Sequence, residues 1–199
     1  FGFETAVQAS SSILSCAHNE ANGCYNGIGL VRLMGRDSGF IAAYASLANT
    51  VVNFCLIPEV PLVLDGPGGL LHTLERRLAR KHHAVIVVAE GAGQDLISTE
   101  KVKDKSGNIL HNDIGTFLRD TIKAHFSAKN IDMGIKYFDP SYEIRSLQAN
   151  SNDSIFCLHL AQHRHVGHRA ARGQVGQDHL LRRGGQDVGA LRHEVHAAE

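Results

Sequence analysis

Apolar and polar positions along the 199-residue chain change period several times. From Glu4 to His18 the apolar residues recur at helical spacing, and Ile28-Gly29-Leu30-Val31-Arg32-Leu33 then reads as a short, largely buried strand. The helical period returns over Phe40 to Ala48, with Asp37 and Ser38 placed to cap that helix through their side-chain oxygens. A strand follows at Val52 to Ile57, ended by Pro58, and a helix at Leu70 to Lys81. Ala84 to Ala89 is a further strand, succeeded by an extended loop, a helix from Ile114 to Phe126, and a strand-like Ile131 to Phe138. Strand and helix alternate throughout, and parallel neighbours need crossover connections. The predicted fold is therefore α/β, a mainly parallel sheet with helices on both faces.

Residues 163 to 199 break this pattern. They hold six of the 13 histidines and six arginines among glycines and glutamines, with no Phe, Tyr, Ile, Lys, Ser or Thr. So little apolar surface cannot offset the chain entropy lost on folding, which predicts a disordered tail behind a domain of residues 1 to 162. The spacing of His163, His165 and His168 matches no helical face, and no carboxylate or thiol is placed to complete a metal site. With permitted codon choices, Gly176 to Arg183 read one nucleotide later can encode Gly-Lys-Thr-Thr-Tyr-Phe-Val-Val, a strand-like run. The tail accordingly reads as a frame-shifted translation, which the coding DNA would test.

Composition narrows the class further. Hydrophobic content of 43% suits one globular domain, and 20 basic residues balance 20 acidic ones, so no net field selects nucleic acid or an anionic membrane. No apolar run approaches a membrane span and no leader opens the chain, making a cytosolic or matrix-type compartment the default, with the cytoplasm expected. Cys16, Cys24, Cys55 and Cys157 lack Cys-x-x-Cys spacing and read as reduced, mostly structural thiols. Phe1 stands where an initiator methionine would, and the chain reads as a piece of something longer.

Candidate chemistry gathers where strands end. Met34-Gly35-Arg36 puts a guanidinium and a glycine backbone at the carboxyl end of a strand, the edge where open α/β sheets bind their ligands. Glu90 directly follows the strand 84–89 and can accept a ligand hydroxyl or brace a loop. Gly91-Ala92-Gly93 after it lacks the third glycine of a dinucleotide fingerprint. Tyr142 and Arg145, three residues apart after another strand, would share a face on a helical first turn. A guanidinium suits phosphate through paired, charge-assisted hydrogen bonds, and a phenol can fix a sugar oxygen. Glu59 stands at a fourth strand end, as a ligand contact or a structural carboxylate. No Walker loop, Ser-His-Asp arrangement or zinc motif is visible, and the Arg76, Arg77, Arg80, Lys81 run reads as a solvated helix face.

Taken in order, Phe1-Gly2-Phe3-Glu4-Thr5-Ala6, Met34 to Ala42, Leu56-Ile57-Pro58-Glu59, Ala89 to Asp95 and Tyr137 to Arg145 resemble the 6-phosphofructokinases, in particular their plant, protist and bacterial long branch. The resemblance covers residues 1 to about 162. It implies a phosphofructokinase-like fold, here incomplete, and transfer of a phosphoryl group from ATP to the 1-hydroxyl of fructose 6-phosphate in glycolysis. It also implies that Met34, Gly35, Arg36, Glu90, Tyr142 and Arg145 bind the sugar phosphate, with Arg36 steadying the transferred group. The family's Gly-Gly-Asp-Gly donor and magnesium element and its Thr-Ile-Asp-Asn-Asp base segment are absent here. ATP and Mg2+ sites, and the catalytic base, are thus expected in a missing N-terminal part, and the chain alone should be inactive. Pyrophosphate as donor and a non-catalytic sugar-phosphate-binding subunit are the alternatives, and the resemblance implies a homo-oligomer.

Overall fold

A computed structural model describes residues 2–97 and 111–171, with side chains through His163. Most of the loop expected after Ala89, the side chains of His165 and His168, and the frame-shift segment 176–183 lie outside the described residues. The elements run α1 (Phe3–Asn22), β1 (Gly27–Leu33), α2 (Phe40–Ala48), β2 (Phe54–Leu56), α3 (Leu70–Lys81), β3 (His83–Ala89), α4 (Gln94–Ile97), α5 (Ile114–Ala128), β4 (Gly134–Phe138), α6 (Ser141–Ser146) and α7 (Ser151–Ala171). The four strands form one sheet in the order β2-β3-β1-β4, and every pairing is parallel. The chain divides after Asp153 into two units. The first holds the sheet; the described part of the second continues α7, with Ile155, Phe156, Leu158 and Leu160 exposed. Among the described residues, no helix is long and apolar enough to cross a membrane.

Alternation along β1 sorts two unlike cores. Ile28 and Leu30 join Leu74, Leu78, Ile86, Leu118, Ile122 and Phe126 on the face covered by α3 and α5. Each such side chain contributes about 1.5–3 kcal/mol when fully buried. The opposite face, under α1 and α2, is built from smaller residues, including Ala6, Ala17, Ala42 and Ala45. There Gly27 and Gly29 let α1 approach until an added Cβ would lie 2.0 Å and 2.6 Å from the carbonyl oxygens of Ala21 and Ala17. A helix can pack that closely on a strand only where side chains are missing from the strand.

The first unit is closed where its ends meet. Asp153 accepts hydrogen bonds from the Thr5 backbone N–H at 2.8 Å and the Thr5 hydroxyl at 2.5 Å, tying the start of α1 to the start of α7. Those bonds, the hydroxyl's first, hold the Asp153 carboxyl below its ordinary value. Two local expectations change. The four cysteines are free but exposed, so none is a core thiol. The amino end of α2 is not capped by Asp37: Glu59, from the turn after β2, reaches across to accept the Gly39 N–H at 2.8 Å. Ser38 Oγ lies 3.5 Å from the Phe40 N–H, and Asp37 lies 3.1 Å from His111 Nε2, in a geometry that makes no hydrogen bond there.

Candidate functional site

The carboxyl ends of β3, β1 and β4 lie side by side, and the three motifs emerge from them in that order. After β1, Met34 turns its side chain into the small-residue core, where it is 4% exposed. Gly35 follows at φ 151° and Arg36 at φ 54°, the left-handed region that an arginine rarely adopts. Such a backbone persists only where its surroundings enforce it. Glu90 does so: its Oε1 accepts the Arg36 N–H at 2.7 Å and the Gly35 N–H at 3.2 Å. Gly91 completes the fit, since a Cβ there would lie 2.0 Å from the Arg36 carbonyl oxygen. Gln94 holds the far side of this loop, donating to the Glu90 carbonyl at 2.8 Å and exchanging two 3.0 Å bonds with the Asn112 backbone. The side chain of Arg36 is exposed beyond this braced turn.

After β4 the chain enters α6 differently. Asp139 Oδ1 accepts the Ser141 N–H at 3.2 Å and the Ser141 hydroxyl at 2.5 Å, which starts the helix. Ile144 is fully buried and anchors it, so Tyr142 and Arg145 fall on the outer face, as their spacing predicted. Tyr142 is 81% exposed, and the Arg145 guanidinium lies 5.9 Å from its ring centroid.

Four further residues lie beneath this edge, none of them assigned a role from the sequence. Arg32 breaks the apolar run of β1, and its Nη2 donates to Asp139 Oδ2 at 2.5 Å while its Nε sits 3.9 Å from Asp113 Oδ1. Asp113 caps α5 through the Gly115 and Thr116 N–H groups and accepts the Tyr137 hydroxyl at 2.9 Å. Burial opposes the charge on Asp139, but bonds from Ser141 and Arg32 outweigh it and hold the carboxyl below its ordinary value. Asp113 is lowered in the same way, against burial, by Thr116, Tyr137 and Arg32. Burial, and then the bond to Asp113, push the Tyr137 phenol well above its usual range. The signal available in sequence was the lone cation inside an apolar strand.

Arg36 and Arg145 thus follow the neighbouring strands β1 and β4, and Glu90, from β3 on the other side of β1, fixes the turn that carries the first. The family model for Phosphofructokinase matches residues 1–166, so the chain belongs to that family. It is 54% identical over 167 residues to the ATP-dependent 6-phosphofructokinase of Borreliella burgdorferi, covering 80% of this chain and 37% of that protein. Identity to ATP-dependent 6-phosphofructokinase 1 of Arabidopsis thaliana is 50%, covering 81% of this chain and 35% of the relative. The chain thus spans little more than a third of the length of these relatives. Phosphofructokinase from Saccharomyces cerevisiae shares the fold at a TM-score of 0.51 and 19% identity, over 74% of this chain and 17% of that one. The pyrophosphate-dependent phosphofructokinase from Marinobacter aquaeolei does so at 0.51 and 18%, over 75% and 34%.

Proposed function

We propose that this chain is the sugar-phosphate-binding half of an ATP-dependent 6-phosphofructokinase, acting on fructose 6-phosphate in the cytoplasm as part of a homo-oligomer. The observation that carries the reading is the Glu90-braced turn, which fixes Arg36 in a strained backbone at the same sheet edge as Tyr142 and Arg145. Phosphoryl transfer asks a protein chiefly to position its reactants and neutralise charge, and both are work for fixed guanidinium groups. Arg145 pairs with the 6-phosphate and Tyr142 with a sugar oxygen. Glu90 holds the turn through Oε1 and takes a sugar hydroxyl through Oε2. Arg36 faces the phosphoryl group in transit, and Met34 contributes only backbone, its side chain being committed to the core. Among the described residues, no group of three or more His, Cys, Asp or Glu is placed to hold a metal ion. Under this proposal the Mg2+ and ATP are held by the family's Gly-Gly-Asp-Gly element, which this sequence lacks, and no step here runs through them.

The test is a donor assay on the full-length protein. Fructose 1,6-bisphosphate formed with ATP, and not with pyrophosphate, supports the reading; formation with pyrophosphate alone replaces the donor. Sugar-phosphate binding without turnover from either donor would make the protein a non-catalytic subunit.

A further inference from the structure

Arg32 is the one charge on β1, and it faces the α5 side, where its strand neighbours Ile28 and Leu30 are wholly buried. An aliphatic side chain would suit the large core below it better, because a partly buried cation loses hydration that only good partners restore. Its partners are chosen in a telling way. The β1–β4 register pairs Val31 with Phe138, so the next residues along the two strands are Arg32 and Asp139. Asp139 divides its oxygens: Oδ1 starts α6 through Ser141, and Oδ2 takes the guanidinium. The carboxylate that orients this helix is thus itself oriented by a residue four positions before Arg36.

We propose that Arg32 is a positioning residue of the sugar-phosphate site, clamping Asp139 so that α6, with Tyr142 and Arg145, stays aligned with the turn that carries Arg36. The inference rests on the sugar-phosphate reading above. Six residues are too few to form a stable helix unaided, and α6 depends for its place on the buried Ile144 and on the bonds that Ser141 donates to Asp139. A hydrogen bond from guanidinium to carboxylate is charge-assisted and directional. Asp113 faces the same guanidinium from the start of α5, 3.9 Å from Nε, too far for a hydrogen bond, so the bond to Asp139 is what fixes it. The pair therefore connects the two halves of the site without touching the ligand.

Steady-state kinetics of the full-length protein, with fructose 6-phosphate varied at saturating donor, test this. Arg32→Met should raise KM about tenfold while kcat changes less than about threefold, because the anion site is misaligned rather than stripped of a ligand. Arg32→Lys should recover KM to within about threefold of the parent, and Arg32→Met with Asp139→Asn should be no worse than Arg32→Met alone, since both break one link. An unchanged KM for Arg32→Met, or effects that multiply in the double variant, overturns the proposal; a purely structural role would lower thermal stability and leave KM in place. Should Arg32→Met fail to fold, Asp139→Asn carries the test: it should raise KM about tenfold, and an unaltered KM there overturns the proposal. Arg145→Ala separates the two layers. If it leaves KM unchanged, the sugar-phosphate reading falls and this inference with it; if it raises KM while Arg32→Met does not, only the inference falls.

Discussion

The turn after β1 and the helix after β4 each present an arginine at one edge of the same sheet, and they are held in opposite ways. Around Arg36 the backbone is strained, left-handed and gripped by a carboxylate from a neighbouring strand, with Gly91 pressed against it. Around Arg145 the backbone is an ordinary helical turn, capped at one end, pinned by Ile144, and open to solvent along its outer face. The braced turn lies, under the proposed function, where a developing charge is met without rearrangement, and the solvent-facing helix where a stable phosphate has only to be bound. Under the proposed function, the first half governs turnover and the second governs affinity.

Substitutions can break that division, most strongly in the braced half. Arg36→Ala in the full-length protein should lower kcat about 10²- to 10³-fold with a smaller change in KM, as for loss of one preorganised donor. Equal effects on kcat and KM, measured by steady-state assay, would erase the contrast. Gly91→Ala drives a methyl group into the Arg36 carbonyl and should reduce kcat about ten- to a hundredfold, leaving fructose 6-phosphate binding within about threefold by calorimetry. Arg145→Ala should do the reverse, raising KM about tenfold with little change in kcat. Because the residue is exposed, its thermal midpoint should match the parent's.

The smallest effect concerns the link between the halves. Asp139 has its pKa depressed in the folded state, so its contribution to stability is present above the ordinary carboxyl value and is lost as pH falls through the depressed one. Denaturant titrations should find the parent more stable than Asp139→Asn by up to about 1 kcal/mol at neutral pH, given partial solvent screening. The gap should close below about pH 4. A gap that persists in acid would mean that the carboxylate charge is irrelevant to the link.

Legibility in the sequence followed the range of the interaction. The helices at 40–48 and 70–81 match the apolar period to the residue, and β1 and β3 end where the apolar runs end, because periodicity is set by near neighbours. The shared face of Tyr142 and Arg145 was readable for the same reason. Glu59 was not: its partner at Gly39 is 20 residues away, and only the folded sheet brings the turn after β2 over the start of α2. Exposure of Cys55 was hidden too, since an apolar run does not disclose that its strand lies at the sheet edge.

By itself the chain's pattern determined an alternating α/β order, a parallel sheet, and three chemically suggestive motifs at strand ends, all consequences of local spacing and side-chain type. Tertiary structure decided what those motifs do to one another. The hold of Glu90 on Arg36 spans 54 residues and that of Arg32 on Asp139 spans 107. Bonds of that separation depend on strand register and helix packing, which exist only once the apolar faces have closed on the sheet.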